Sequence, residues 1–106
     1  MTSDTAITEY PGGVPIAPVH PGETLAEEMQ ARGLTANALA LKLRVPANRI
    51  GEIVSGKRGI TAETALRLGR YFGTGAAFWA NLQARYSLAV AERELGATIE
   101  REVEAA

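Results

Sequence analysis

The chain has 106 residues, with no cysteine, eleven basic and twelve acidic side chains, and a net charge of −1. This length suits one domain with a modest core, and the lack of cysteine excludes disulfides and thiolate metal sites. No apolar run reaches the ~18 residues of a membrane span, and no basic and apolar leader opens the chain. We therefore expect a cytoplasmic domain without a membrane segment.

The first 19 residues differ in composition from the rest of the chain. We expect residues 1–19 to form a flexible, extended arm, because turn-forming residues replace periodic apolar ones. Helical structure should begin at Pro21, because proline suits the first helical position and Glu23 favours the positive end of a helix. Gly33 should end this first helix. The turn-forming residues of the arm are Pro11, Gly12, Gly13, Pro15 and Pro18.

Residues 35–58 have the spacing of two short helices joined by a turn. Thr35 is a suitable N-cap for a helix that ends near Leu43, and Pro46 suits the start of a second helix that ends at Ser55–Gly56. This pattern predicts a helix-turn-helix, the motif that places its second helix in the major groove of DNA. The apolar and small positions that fit it are Leu39, Ala40, Leu43, Val45, Ile50 and Ile53.

Two further helices are predicted, and no strand-type alternation appears in the helical part of the sequence. Thr61 caps the fourth helix, which ends at Gly73. The fifth helix covers about residues 76–95 and stops at Gly96. The fold class is therefore all-α: a compact domain of five helices with a helix-turn-helix and an extended N-terminal arm.

The fifth helix begins with two adjacent aromatic residues. Phe78 and Trp79 cannot both face one core from a single helix, so at least one should meet a second subunit or another partner. We choose Phe78, Trp79 and Leu82 as the dimer interface. Residues 20–96 are then the domain for DNA binding and dimerisation, and residues 97–106 a tail or short helix.

Positive charge is concentrated in one segment. Residues 42–70 hold seven bases against two acids, whereas residues 1–41 hold one against five and residues 71–106 hold three against five. The local field, not the net charge, attracts phosphate. The segment contains the predicted second helix of the helix-turn-helix, which favours DNA binding. The alternative, that these bases only solvate a helical surface, stays open.

The exposed N-terminal positions of that second helix are the candidate base contacts. Asn48 can pair with adenine and Arg49 with guanine, although both could also be plain surface residues. Asn37 lies at the start of the preceding helix, where it can contact a phosphate of the DNA. Lys57 and Arg58 follow the second helix and can hold the DNA backbone. The predicted DNA-contacting residues are Asn37, Ala47, Asn48, Arg49, Ser55, Lys57 and Arg58.

The sequence offers no constellation for catalysis. His20 is the only histidine, so it has no partner for metal binding and is expected to cap a helix or lie at the surface. No glycine-rich phosphate loop follows a strand. Glu27 and Glu28 are adjacent and point to different helix faces. We predict that the chain is not an enzyme and needs no metal or cofactor.

Four stretches carry a resemblance to a known family. They are HPGETL at 20–25, VPANRIGEIVSGKRGIT at 45–61, ALRLGRYFGT at 65–74 and FWANLQARYSL at 78–88. In these stretches the chain resembles the HigA/VapI-type antitoxins of bacterial type II toxin–antitoxin pairs, within the lambda-repressor-like (XRE) helix-turn-helix superfamily. The match runs from about Val19 to Glu94. The chain departs from the family pattern at Arg44, a turn position where glycine is frequent.

The resemblance implies a homodimer that binds a palindromic operator at its own promoter. It also implies a cognate RelE-like ribonuclease toxin, which the antitoxin holds inactive. By motif position, the DNA surface carries over to Asn48, Arg49, Lys57 and Arg58, and further to Asn37, Ala47 and Ser55. Two alternatives stay open. One is a stand-alone XRE-type repressor without a toxin partner, and the other is a protein-interaction module that does not bind DNA.

Overall fold

Five α-helices follow one another in the computed structural model, which describes residues 9–10, 14–15 and 17–106. The prediction of an all-α fold with five helices is confirmed. Of the helices in these residues, none combines the length and the apolar content that crossing a membrane requires. The helices are α1 (Pro21–Ala31), α2 (Ala36–Leu43), α3 (Ala47–Val54), α4 (Ala62–Phe72) and α5 (Ala76–Glu102).

Two strands of two residues each pair inside the predicted N-terminal arm. β1 (Glu9–Tyr10) pairs antiparallel with β2 (Val14–Pro15), so that Glu9 lies opposite Pro15. The sequence prediction did not include this pairing, because prolines and glycines are turn signals and each strand is too short to show alternation. The remainder of the arm lies outside the described residues: 1–8, 11–13 and 16.

Side-chain caps start three of the helices where the sequence predicts them. His20 Nδ1 accepts a hydrogen bond from the backbone N–H of Gly22 at 2.9 Å. The Oγ1 atoms of Thr35 and Thr61 each accept from the N–H three residues further on, at 3.1 and 3.3 Å. These bonds satisfy backbone donors that a helix start leaves unpaired. The expectation that His20 is a capping residue is confirmed, and its ring also meets Tyr86 edge-on at 4.8 Å.

The core forms where the apolar faces of all five helices meet. Trp79 is its largest fully buried side chain, and Phe72 packs against it with the ring centroids 5.7 Å apart. Burial of these side chains is the main favourable term that holds the helices together. The buried apolar residues are Leu25, Met29, Leu39, Ala40, Leu43, Ile50, Ile53, Ile60, Ala65, Leu68 and Trp79.

The choice of Trp79 for the dimer interface is wrong. Its side chain is 0% exposed, so it has no surface to offer a second subunit. Phe78 is 42% exposed, because successive helical residues point about 100° apart around the axis. Leu82 is partly buried and packs against the core. Of the three residues predicted for the interface, Phe78 alone presents a large free surface in this chain.

α5 is longer than the sequence predicts, because it continues through Gly96 and ends at Glu102 after 27 residues. A glycine inside a helix costs about 1 kcal/mol relative to alanine, and good helix formers on both sides offset that cost. The prediction of a stop at Gly96 is therefore wrong. The first six residues of the predicted tail are helical. The division of the chain into 1–19, 20–96 and 97–106 stays a prediction.

α1 approaches the end of α3 so closely that only glycine fits at residue 22. A Cβ atom added to Gly22 would lie 1.9 Å from the carbonyl oxygen of Ile53 and 2.9 Å from its carbonyl carbon. This close approach gives a structural reason for the glycine in the HPGETL stretch. It also fixes the C-terminal end of α3 against α1.

Gly22→Ala should destabilise the fold by about 1–3 kcal/mol, the usual cost of overpacking. Gly96→Ala is a matched control, because a Cβ added there meets nothing within 4 Å, and alanine is the better helix former. Thermal unfolding followed by circular dichroism should give a lower Tm for the first variant and an equal or higher Tm for the second. A Gly22→Ala protein as stable as the wild type would contradict the close packing of α1 on α3.

Candidate nucleic-acid interface

α2 and α3 are joined by a tight turn at Arg44. This residue adopts a left-handed backbone conformation with φ 61° and ψ 49°, at a cost of roughly 1–2 kcal/mol that glycine would avoid. The N–H of Val45 donates to the carbonyl of Ala40 at 3.1 Å and closes the end of α2. The apolar faces of the two helices then meet as predicted, through Leu39, Ala40, Leu43, Ile50 and Ile53, all buried.

The outward face of α3 carries most of the predicted base contacts. Asn48 and Ser55 are exposed on the side opposite the buried Ile50 and Ile53, and Ala47 is exposed at the start of the helix. Six of the seven residues predicted to contact DNA are exposed, and Arg49 is the exception. The exposed residues are Asn37, Ala47, Asn48, Ser55, Lys57 and Arg58.

Glu52 links two of these exposed side chains. Its Oε2 atom accepts a hydrogen bond from Asn48 Nδ2 at 3.3 Å, and its Oε1 atom accepts from Arg58 Nε at 2.8 Å. The carboxylate therefore lies between a predicted base contact and a predicted backbone contact. Its i, i+4 spacing from Asn48 could have suggested the first bond, whereas the bond to Arg58 depends on the loop after α3.

Arg49 points away from this face and towards α4. Its Nη1 atom lies 3.5 Å from Glu63 Oε1, and its side chain is 23% exposed. The structure therefore does not bring Arg49 together with Asn48 and Ser55. The sequence could not show that Asn48 and Arg49 point to different sides, because the direction of each side chain depends on how α3 is rotated against α4.

Arg67 ties α4 to the end of α2. Its Nη1 atom donates to the carbonyl oxygen of Leu43 at 2.9 Å, and its Nη2 atom lies 3.0 Å from Glu63 Oε2. The bond satisfies one of the carbonyls that a helix leaves unpaired at its C-terminus. The sequence prediction missed this residue. The i, i+4 spacing of Arg67 from Glu63 indicates only an ordinary ion pair on a helix surface. Leu43 lies 24 residues away in the sequence, so no local pattern indicates that contact.

The loop after α3 presents Lys57 and Arg58, both exposed. The N–H of Lys57 donates to the carbonyl of Glu52 at 2.8 Å and turns the chain away from the helix. Gln83 of α5 holds the far end of the loop, because its Oε1 atom accepts from the partly buried N–H of Ile60 at 2.7 Å. Gln83 was not predicted as a functional residue. Its contact holds the end of the loop that carries the two basic side chains against α5.

The positive charge of the segment 42–70 is divided between two surfaces. One group, Arg49, Lys57 and Arg58, lies at α3 and its following loop. A second group surrounds a hollow of about 350 Å³ between α2 and α4. The prediction that the charge gathers at α3 is therefore only partly correct. The hollow is lined by Lys42, Leu43, Arg44, Leu66, Arg67, Arg70 and Tyr71.

The described residues contain no group of three or more acidic, histidine or cysteine side chains arranged to hold a metal ion. The acidic residues near α3 instead pair with arginines. Arg58 pairs with Glu52 at 2.8 Å, and Arg49 and Arg67 pair with Glu63 at 3.5 and 3.0 Å. These contacts hold the arginine side chains in place on the surface around α3.

Gln83→Leu should lower the free energy of unfolding by about 1–3 kcal/mol, because the N–H of Ile60 would lose its acceptor in a partly buried place. Gln83 also donates to Ser87 Oγ at 3.0 Å on the exposed side of α5. Ser87→Ala is thus the control, since it removes only that second bond. Urea unfolding should show a loss for the first variant and little change for the second. Equal stability of the two would contradict the anchoring of the loop.

Comparison with known proteins places this geometry in a family. A family model described as helix-turn-helix matches residues 25–79. Virulence-associated protein I of Dichelobacter nodosus is 54% identical over 77 residues, which cover 72% of this chain and 71% of that protein.

Two solved structures match a larger share of the chain. A HigA-family addiction module antidote protein from Coxiella burnetii has a TM-score of 0.81 at 48% identity, covering 84% of this chain and 98% of that one. The antitoxin HigA of Pseudomonas aeruginosa, solved with the higBA promoter, has a TM-score of 0.80 at 49% identity, covering 82% and 96%. One is named an antidote protein and the other an antitoxin, in agreement with the family resemblance found in the sequence. The chain belongs to the XRE-type helix-turn-helix family, in the group of the HigA and VapI proteins.

Proposed function

We propose that the chain is a cytoplasmic antitoxin that binds operator DNA through α3. In this proposal it represses its own operon as a homodimer and neutralises a RelE-like ribonuclease toxin. The observation that carries the DNA-binding part is the outward face of α3, which exposes Asn48 and Ser55 beside the basic residues Lys57 and Arg58. The 49% identical HigA that was solved with a promoter supports the same role.

The hydrogen bond between Asn48 and Glu52 orients the side-chain amide of Asn48 for pairing with a DNA base. One N–H of Asn48 is directed to the Glu52 carboxylate, which leaves its second N–H and its carbonyl oxygen free. One donor beside one acceptor is the pattern that an adenine edge requires in the major groove. Asn37, Ala47 and Ser55 complete the proposed contacts around it.

Arg49 can join the DNA surface only by leaving Glu63. That pair lies near the surface, since the Glu63 side chain is 58% exposed, and such pairs contribute less than about 1 kcal/mol. A guanine edge or a phosphate could therefore compete with Glu63 for the guanidinium. We propose that Arg49 changes partner when DNA binds.

Asn48→Ala should weaken operator binding by about 1–3 kcal/mol and relax the preference at one base pair in each half-site. Lys57→Ala should weaken binding to every sequence and lower the salt slope by about one unit, because it removes a phosphate contact. Gel shifts at several salt concentrations, on the promoter fragment and on a scrambled fragment, separate the two effects.

Lys42→Ala is the matched control for these variants. It removes a positive charge from the same segment but from the hollow between α2 and α4, so affinity and salt slope should stay at the wild-type values. Wild-type binding by the Asn48 and Lys57 variants would show that α3 is not the DNA-binding element. A protein-interaction module without DNA binding would give no salt-dependent shift with any of the proteins.

The toxin should bind outside residues 42–58, through the N-terminal arm and α1 or through α5. A ribonuclease that cleaves messenger RNA needs a basic surface, so its inhibitor is expected to oppose it with acidic or apolar area. α1 exposes Glu23 and Glu27, and residues 1–41 hold five acids against one base. One molecule could then hold operator and toxin together, each on a surface of opposite charge.

Reversal of both charges, Glu23→Lys with Glu27→Lys, should reduce protection of cells that express the cognate toxin and leave operator binding intact. Deletion of residues 1–19 tests the contribution of the arm in the same assay. Growth rescue and gel shift are measured on the same variants. The separation of the two surfaces fails if these variants protect fully while Asn48→Ala abolishes protection. If the chain is purified after expression from its native operon and no toxin accompanies it, a stand-alone repressor is favoured.

A further inference from the structure

A carboxylate lies within the basic surface that the proposed function assigns to DNA. Glu52 follows Asn48 by four residues, so both side chains extend from the same face of α3. Its Oε2 atom accepts a hydrogen bond from Asn48 at 3.3 Å, and its Oε1 atom lies 2.8 Å from both Nε and Nη2 of Arg58. A negative charge in this place lowers the attraction to phosphates. Affinity for DNA alone therefore does not explain Glu52.

The stability of the fold does not explain Glu52 either. The Glu52 side chain is 36% exposed and that of Arg58 is 44% exposed, so water screens their ion pair and the pair contributes little to folding. Asn48 is also exposed, and a hydrogen bond between two exposed side chains competes with water. The contacts of Glu52 therefore organise the surface of α3 and leave the core unaffected.

We propose that Glu52 is a specificity-determining residue, which lowers the affinity of the chain for DNA other than its operator. The inference rests on the proposed function and adds to it a residue that acts against non-specific binding. Two properties of the carboxylate produce this effect. It compensates the charge of Arg58, and it accepts hydrogen bonds only from bases that present a donor.

The first property acts through Arg58. Its Nε and Nη2 atoms face Glu52, which leaves the two N–H groups of Nη1 to a phosphate. The pair as a whole carries no net charge, so it adds little to the attraction that DNA of every sequence exerts. Arg58 can still donate to a phosphate where the operator fixes the geometry. It strengthens non-specific binding less than an uncompensated arginine would.

The second property acts on the bases. In the major groove, cytosine and adenine present an amino group that can donate to a carboxylate, whereas guanine and thymine present acceptors that a carboxylate repels. Glu52 should therefore favour cytosine or adenine on the strand that it faces. It lies about 6 Å further along α3 than Asn48, at 1.5 Å per residue. The base that it reads is then within about two base pairs of the one that Asn48 reads, at 3.4 Å per base pair.

Glu52→Gln tests the inference, because it removes the charge and keeps the size of the side chain. Binding to the promoter fragment and to a scrambled fragment is measured by fluorescence anisotropy at several salt concentrations. Affinity for the scrambled fragment should rise by about fivefold and its salt slope should steepen by about one unit, because Arg58 then carries an uncompensated charge. The ratio of operator to scrambled affinity should fall by about tenfold. An unchanged ratio would overturn the inference.

Glu28→Gln is the matched control. Glu28 pairs with Arg32 on α1, and their exposed fractions of 37 and 44% nearly equal those of Glu52 and Arg58. This variant loses the same charge, so an equal change in the affinity ratio would show that net charge alone acts, and would overturn the inference. Both variants should keep the wild-type Tm, because both pairs are exposed. A lower Tm for Glu52→Gln at an unchanged affinity ratio would show a structural role instead.

A double variant separates the two properties of the carboxylate. Glu52→Gln together with Arg58→Gln restores the zero net charge of the pair, so affinity for the scrambled fragment and its salt slope should return to the wild-type values. The base preference should stay relaxed. Single base-pair substitutions measure it, within two base pairs of the position at which Asn48→Ala relaxes the preference. A wild-type base preference in the double variant would overturn the direct contact of Glu52 with a base.

The failure of this inference and the failure of the proposed function give different results. Operator binding by the wild type, with an unchanged affinity ratio in Glu52→Gln, would remove the role of Glu52 and keep the DNA role of α3. No binding of either fragment by the wild type would remove the DNA role, and the role of Glu52 with it.

Discussion

The position of α3 depends on one apolar contact, the burial of Ile50 and Ile53 against α2. Each side chain is fully buried, and burying one of this size contributes roughly 1.5–3 kcal/mol. Gly22 adds a steric limit at the C-terminal end of α3, because a side chain at this position of α1 would collide with the backbone of Ile53. These contacts leave the helix little freedom to rotate. Asn48 and Ser55 are therefore held on the outer surface.

Acidic residues organise the basic surface around α3. Glu52 joins Asn48 to Arg58, and Glu63 joins Arg49 to Arg67. Exposed pairs of this kind contribute little to stability, but they select side-chain directions before any partner arrives. A side chain held in its binding direction, as Asn48 is by Glu52, loses less conformational freedom on binding. Arg49 differs, because it must first leave Glu63. A charge count along the sequence cannot show which arginine pairs with Glu52 and which with Glu63, because it treats every arginine of the segment alike.

Local signals in the sequence predicted the local features of the fold. The caps at Thr35 and Thr61 depend on residues within the same turn, and both lie where predicted. Features that depend on the packing between helices were harder to predict from the sequence. The sequence indicates that Phe78 and Trp79 face different surroundings, but only the rotation of α5 shows which one is buried. Gly96 gave a wrong stop, because a local signal was overridden by the helix formers around it.

In the proposed complex, α3 enters the major groove of the chain's own promoter twice per dimer. Methylation interference on that promoter fragment tests this most directly, because methylation at guanine N7 blocks the major groove and methylation at adenine N3 blocks the minor groove. We expect two clusters of interfering guanines about 34 Å apart, one turn of B-DNA. Interference confined to the minor groove, or no interference at any guanine, would contradict it.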